Sequence, residues 1–421
     1  MHRAQLDGLF RMNIILLTAN FPYHPGEQFL EGEIGILAKS FEKVLIVPLN
    51  LNIFTKDVHP RPVPENVEIL LFPQNLSKTI KKYISLQAAG LSHSLKDLII
   101  AAIHGRLFHP SKLYGLCRQY FYASLFASLI LHKISLETFN IIYSYWGAGN
   151  GLTLHFLKKH CFDTIVFASR VHSYDLWAER QGLKRLPFQK HLLNSCDIIA
   201  PVSEQGETYL KNWYGQRAKN VRHFHLGVTT QNTINNGSID DILRVVTCSF
   251  IVPVKRLQLF VSALMKVSRK VIWTHIGDGQ DRKKIFELST KLPQNIQTNF
   301  LGHLENEEVL DYYRNNPVDL FLNVSSYEGV PVSIMESLSF GIEPVATDVG
   351  GVSELVKPEF GTLLNPDFQP DQLANILQKH QNTQERRIKA QEHQLKHFSF
   401  PNYQAFASEL LAIAEIKRNE D

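Results

Sequence analysis

The chain alternates short, continuous apolar runs with longer segments of mixed character. In the first half these runs are NIILLTA (13–19), KVLIVPL (43–49), VEILLF (67–72), NIIYSY (140–145), TIVFASR (164–170) and DIIAPVS (197–203). In the second half they are LRVVTCSF (243–250), KVIWTHIG (270–277), IQTNFLG (296–302), VDLFLNVS (318–325) and IEPVATD (342–348). Unbroken apolar runs of this length predict strands covered on both faces, as in parallel sheets sandwiched by helices. The expected class is α/β, with two doubly wound Rossmann-like domains facing a central cleft. Such sheets bind ligands outside the carboxyl ends of their strands. The polar, turn-rich stretch TTQNTINNGSIDD (229–241) reads as the end of a linker between the halves. The boundaries that follow are 1–235, 236–398 and a closing helical segment, 399–421.

Composition narrows the class without naming a chemistry. A length of 421 residues suits two domains with substantial cores. With 44% apolar and 20% charged residues the chain reads as globular. A formal charge of +4 does not argue for nucleic acid, though it suits mild attraction to phosphates or an anionic surface. Cys117, Cys161, Cys196 and Cys248 form no C-x-x-C pair, which argues against a zinc site or a disulfide framework and suits a reducing, cytoplasmic compartment. MNIILLTA is too short and wrongly flanked for a signal peptide, and residues 1–11 read as an extension before the first strand. FYASLFASLIL (121–131) falls well short of the roughly 20 apolar residues of a membrane span. Residues 76–131, with Lys78, Lys81 and Lys82, read as core-facing amphipathic helices with a basic rim; the alternative is an outer set touching a membrane.

The segment VDLFLNVSSYEGVPVSIMESLSFGIEPVATDVGGVSEL (318–355) carries the chemistry. A buried strand leads into the loop SSYEG, and Pro331 suits the first turn of a helix because its missing N–H would be unpaired there. Val332 and Ser333 then offer backbone N–H groups at a helix start, a site for phosphate. Glu328 in the loop and Glu336 in the helix lie at two points along an elongated ligand. Carboxylates are natural acceptors for sugar hydroxyls and a ribose diol.

This E-x7-E arrangement, with EGVPVSIMES, SFG, ATDVGG and Glu354 in order, resembles the retaining glycosyltransferases of family four, which have the GT-B fold. The resemblance covers most of residues 12 to about 415. SFIVPVKRLQLFVSAL (249–264) looks like the family's strand-to-helix turn, whose basic residue contacts the donor diphosphate; Lys255 takes that position, with Arg256 beside it. Phe250 stands where many members carry an arginine, and Arg256 is the expected substitute. IGDGQDRKKI (276–285) resembles the glycine turn of the family, with Gly277 and Gly279 allowing close approach to a ligand. Glu343 stands where proline is usual, and Pro344 follows, so a local backbone shift is expected.

In the first half, FPYHPGEQFLEGEI (21–34) matches the place of a glycine turn near acceptor and donor sugar, with Gly26 and Glu27 as candidates. Tyr145 and Trp146 could stack on a sugar ring or pack at a domain edge. RVHSYDLW (170–177) matches the position of a donor-sugar histidine and an accompanying acid, His172 and Asp175. Ser203 reads as a helix cap.

The resemblance implies an acceptor-binding first domain, a nucleotide-sugar-binding second domain and a closing helix that returns to the first. It implies a metal-independent hexosyltransferase using a UDP- or GDP-sugar with retention, and no cofactor. Lys255 would face the diphosphate, Glu328 and His172 the donor sugar, and Glu336 the ribose. SFIVPVKR and EGVPVSIME resemble the bacterial capsule, exopolysaccharide and lipopolysaccharide subgroup. That subgroup implies a glycan or polyprenyl-linked acceptor and peripheral contact with the inner membrane. Two rivals share the fold, a sugar-nucleotide epimerase and a non-catalytic nucleotide-sugar binding module. An NAD-dependent enzyme is disfavoured, since no G-x-G-x-x-G follows the first strand.

Overall fold

The computed structural model describes residues 12–24, 26–50, 59–72, 110–179, 183, 185–381 and 383–420. The leading residues 1–11 and most of the basic segment around Lys78–Lys82 therefore lie outside the described residues. The chain forms two compact units, Met1–Val202 with Gly206–Phe224 and Tyr403–Asp421, and Ser203–Gln205 with His225–Asn402.

The first unit holds strands β1 (Asn13–Thr18), β2 (Lys43–Pro48), β3 (Val67–Ile69), β4 (Ile141–Ser144), β5 (Val166–Val171) and β6 (Ile198–Pro201). They form one sheet in the order 3-2-1-4-5-6, parallel throughout. Its helices are α1 (Leu30–Ser40), α2 (Pro110–Lys133), α3 (Asn150–Lys158), α4 (Gln189–Ser195) and α5 (Glu204–Tyr214). Every residue of β1 after Asn13 is buried, because both faces are covered. Ile15, Leu17 and Ile142 pack under Phe126 and Ile130 of α2 and Leu154 of α3. Their neighbours Ile14, Leu16 and Ile141 point the other way, onto Ile34 and Leu37 of α1 and onto Phe406 and Leu410 of the closing helix Pro401–Glu420. The expected strand 67–72 stops at Ile69, and Leu71 is exposed.

A charged group lies inside this core. Arg170, fully buried, pairs with buried Glu33 at 3.3 Å and donates to the Tyr143 hydroxyl at 3.0 Å and the Phe224 carbonyl at 2.9 Å. Its guanidinium lies 4.5 Å from the ring centroid of Phe406. Burial of two charges is tolerated here because both are paired and hydrogen-bonded.

The second unit repeats the plan. Its strands are β7 (Leu243–Cys248), β8 (Val271–Ile276), β9 (Ile296–Gly302), β10 (Leu320–Asn323), β11 (Glu343–Thr347) and β12 (Thr362–Leu364). The order β12-β11-β10-β7-β8-β9 is the same 3-2-1-4-5-6 arrangement, again parallel. Helices α6 (Leu257–Leu264), α7 (Arg282–Ser289), α8 (Asn306–Asn315), α9 (Val332–Ser339), α10 (Val352–Leu355), α11 (Pro370–Lys379) and α12 (Gln384–His397) follow in turn, and the closing helix is α13. Strand β12 was not legible in the sequence, being only three residues long. Both units are Rossmann-like, and each has a topological switch point, β1/β4 in the first and β7/β10 in the second.

One local expectation changes, at Glu343. The stretch 229–241 is fastened by hydrogen bonds. The Asn235 amide donates to the carbonyls of Tyr313 at 2.6 Å and Asn316 at 2.7 Å and accepts from Val318 N–H at 3.0 Å. Glu343 causes no break in β11. It is buried and paired with Arg386 at 2.7 Å, and Pro344 sits where β10 but not β12 is in register. Among the described residues no helix is long and apolar enough to cross a membrane.

Candidate functional site

At the switch point of the second unit the chain leaves β7 and β10 side by side. The loop after β7 ends in the turn Pro253–Lys255, and the loop after β10 carries Glu328. The Lys255 ammonium donates to the Glu328 carboxylate at 2.6 Å, and the Asn323 amide reaches the same oxygen at 3.1 Å. Only 20% of the lysine side chain and 12% of the glutamate are exposed. Burial alone would raise the pKa of Glu328, but Lys255 and the side chains of Ser325 and Asn323 outweigh it and hold the carboxyl below its ordinary value. The Glu328 carboxyl is therefore held ionised, and both side chains are largely buried.

Helix α9 starts a few residues further on, capped by Pro331. Val332 and Ser333 are half-buried, and their N–H groups have no partner among the described residues. That leaves donors and the positive end of the helix dipole available to an anion. Glu336 lies one turn inside the helix. It is buried and accepts a hydrogen bond from the Asn306 amide. Burial pushes its carboxyl up to about 7, against the lowering effect of Asn306.

Arg256 and the two glycines serve the loop itself. Arg256 sits at φ 48°, and its guanidinium donates to the carbonyls of Val324 at 2.7 Å, Pro366 at 2.7 Å and Ser325 at 3.2 Å. Its three nitrogens are thus occupied by backbone, so it braces the end of β10 instead of replacing the arginine missing at Phe250. Phe250 itself is 63% exposed. Gly277 has φ +131°, and a Cβ there would lie 2.0 Å from the Ser249 carbonyl oxygen; at Gly279 one would lie 2.4 Å from that of Ile251. The close approach that these glycines allow is to the loop carrying Lys255, not directly to a ligand. Gly350 does the same for Glu328, since a Cβ there would stand 2.2 Å from its carbonyl oxygen. Glu354 binds the His225 ring at 2.6 Å.

The first unit gathers its candidates around the β1/β4 switch point. Gly26 and Glu27 both have positive φ, 100° and 56°. The turn they form aims the Glu27 carboxylate back at the chain. It accepts from the N–H groups of Ala19 at 2.9 Å, Asn20 at 2.6 Å and Phe21 at 2.6 Å, and from the Trp146 indole at 2.6 Å. Four donors saturate a carboxylate. Glu27 therefore acts on a ligand only through the loops that it ties together, which corrects its expected contact role. Gly26 offers its carbonyl to Arg61 at 3.0 Å.

His172 stacks among Tyr145 and Trp146, both 4.7 Å away between ring centroids, and Phe29 at 6.0 Å. Its Nε2 donates to the Tyr145 carbonyl at 3.2 Å, which leaves Nδ1 as an acceptor. Burial, aided by Arg170, lowers its pKa to about 3, so the ring is neutral. Asp175 accepts from the N–H of His172 at 2.5 Å, of Ala148 at 3.2 Å and of Gly147. Burial pushes the Asp175 carboxyl up to about 7 despite these donors. Asp175 thus positions His172 and the loop after β4.

The two units place different groups at equivalent points. Lys255, Glu328, Val332, Ser333 and Glu336 converge on one region of the second unit; His172, Asp175, Gly26 and Glu27 share the first. Sequence reasoning missed Asn323, Asn306 and Gly350. Gly350 had a visible signal in the ATDVGG turn, whereas the two asparagines had none.

Residues 234–397 match the family model described as Glycosyl transferases group 1. The chain is 29% identical over 142 residues to a phosphatidylinositol N-acetylglucosaminyltransferase subunit of Arabidopsis thaliana, covering 33% of this chain and 31% of that protein. It is 26% identical over 205 residues to the O-antigen biosynthesis glycosyltransferase WbnH of Escherichia coli, covering 48% and 57%. The matched stretches thus span roughly a third to over half of those relatives. Among solved structures, the lipopolysaccharide outer core galactosyltransferase WaaB in its apo form superposes with a TM-score of 0.65 at 13% identity, over 95% of this chain and 99% of that one. Anabaena HepE, solved in complex with UDP-glucose, gives 0.62 at 16% identity, over 96% and 100%. At these identities the structural likeness speaks to the fold, two Rossmann-like domains.

Proposed function

We propose that this chain, whose residues 234–397 match the model described as Glycosyl transferases group 1, moves a sugar from a UDP- or GDP-sugar to a glycan or polyprenyl-linked acceptor. The observation that carries the reading is the Lys255–Glu328 pair beside the Val332 and Ser333 N–H groups, which have no partner among the described residues, at the switch point where such sheets bind ligands. The complex of HepE with UDP-glucose and the O-antigen role in the name of WbnH support the donor class and a place in surface polysaccharide synthesis.

In this reading the diphosphate lies at the N-terminus of α9 and takes the Lys255 ammonium. The cation and helix dipole stabilise charge that grows on the leaving diphosphate as the sugar–phosphate bond breaks. Glu328, released in part from Lys255, accepts hydroxyls of the donor sugar. Glu336 accepts the ribose diol, and His172, in the first unit, has the neutral hydrogen-bonding ring, held by Asp175, that a sugar hydroxyl requires. The reaction proceeds with retention. The leaving phosphate takes the acceptor proton, and the reading calls for no metal or cofactor. The protein works at the cytoplasmic face of the membrane as a peripheral enzyme.

The test is a donor screen. UDP- and GDP-sugars are added to purified protein in thermal-shift assays, and release of UDP or GDP is then followed with membrane lipid extract as acceptor. Stabilisation by one sugar nucleotide and acceptor-dependent nucleotide release are expected. Release of altered nucleotide sugar without any acceptor would point to an epimerase, and no stabilisation by any nucleotide would sink the proposal.

A further inference from the structure

Lys255 and Glu328 form a closed pair in the free site. Their contact at 2.6 Å is the one side-chain hydrogen bond of Lys255 among the described residues. The neighbouring positions supply no second cation. Arg256 spends its guanidinium on the carbonyls of Val324, Ser325 and Pro366, and Phe250 is uncharged. The positive charge that a diphosphate would use is therefore already neutralised by a carboxylate of the same site.

Glu328 is held in place by more than the lysine. Asn323, buried at the end of β10, accepts from the Ser325 N–H at 3.0 Å, which turns its amide nitrogen towards Glu328 at 3.1 Å. Asn323 and Lys255 reach the same carboxylate oxygen. An anion that takes the ammonium thus leaves Glu328 charged, mostly buried and beside a second negative group. A buried charge that loses its partner is costly, and a like charge nearby adds to the cost. New hydroxyl donors offset it, since a carboxylate has room for more than two hydrogen bonds. A sugar on the diphosphate brings such donors. UDP and GDP end there in a bare phosphate, and pyrophosphate carries no sugar at all.

We infer that Glu328 competes with the diphosphate for Lys255, and so discriminates against nucleotides and phosphates that bring no sugar hydroxyls. The inference rests on the transferase reading, in which Glu328 faces the donor sugar, and gives that residue a second task. Once the sugar has been transferred, the nucleotide diphosphate no longer satisfies Glu328, which reclaims the ammonium and favours release of the spent nucleotide.

The test is calorimetric titration of UDP, GDP and inorganic pyrophosphate into the full chain, wild type and Glu328→Gln, with Glu328→Ala as a second variant and circular dichroism to confirm folding. The nucleotide that binds wild type should bind both variants about tenfold or more tightly, and pyrophosphate should gain likewise. The gain should persist at about 0.5 M salt, where screening acts beyond roughly 4 Å but a direct contact survives. The UDP- or GDP-sugar with the largest thermal shift on wild type should gain less than the nucleotide does. Equal or weaker nucleotide binding by either folded variant overturns the inference and leaves the transferase reading standing. So does a gain that vanishes in salt, which reports net charge, or an equal gain for the nucleotide sugar, whose hydroxyls then do not meet Glu328. Failure of both nucleotides to bind wild type and variants alike would instead overturn the transferase reading, and the inference with it.

Discussion

The two units share one strand order yet close their switch points in opposite ways. In the first, Glu27 ties the loop after β1 to Trp146 after β4, and all its acceptor capacity goes to the chain. In the second, Lys255 after β7 meets Glu328 after β10, and an incoming anion can compete with Glu328 for the Lys255 ammonium. One switch point is locked by backbone donors; the other is held by a charge pair beside open helix donors. The same topology thus yields a fixed wall in one unit and an exchangeable anion site in the other.

Breaking the exchangeable side should have the largest effect. Lys255→Ala is expected to lower kcat by about 10²–10³-fold, as loss of a transition-state charge partner does. Steady-state nucleotide release measures this, and a change below about threefold would remove Lys255 from the charge-stabilising role. Breaking the locked side should cost stability instead. Glu27→Gln replaces a four-fold acceptor by a group that cannot satisfy all four donors, and urea unfolding should show a loss of about 2–3 kcal/mol. A fall in UDP affinity with unchanged stability would contradict the division between the two units.

A pH titration sharpens the comparison at Glu336. Its carboxyl is raised to about 7 by burial, so below that pH the free protein holds a proton that ribose binding through the carboxylate must expel. UDP affinity should therefore rise with pH, by at most about tenfold per unit, and level off above about 7. For stability the sign is opposite. The folded protein holds this proton more tightly than the unfolded chain, so the contribution of Glu336 to stability falls as pH rises from its ordinary value towards 7. Glu336→Gln should flatten both dependences, and an unchanged affinity profile in that variant would assign the proton elsewhere.

The smallest expected change is at Phe250, which is exposed beside the Lys255 loop. Phe250→Arg should leave the melting temperature unaltered and raise UDP affinity a few-fold by adding a second cation. No gain would mean that this position does not face the diphosphate.

Sequence alone carried the architecture far because buried parallel strands must be apolar on both faces, and runs such as NIILLTA and VDLFLNVS say so locally. The charged pair was legible as two separate candidates, since each sits in a recognisable strand-to-helix turn. Their direct bond was not, because 73 residues separate them. Arg256 and Glu27 show the converse difficulty. A charged residue in a glycine-rich turn reads as a ligand contact, but the backbone carbonyls at Val324 and Pro366, or the N–H groups at Ala19 to Phe21, claim it first. Nothing in a linear pattern tells which carbonyls a positive-φ residue such as Arg256 will reach. Asn306 supports Glu336 from another helix, 30 residues away, and had no local mark.

The most direct test of the central claim is calorimetric titration of UDP into wild-type protein and Lys255→Ala, with circular dichroism to confirm that the variant is folded. The account predicts saturable binding by wild type and an affinity at least about tenfold weaker in the folded variant. Equal affinities would contradict it and move the diphosphate away from the β7/β10 switch point.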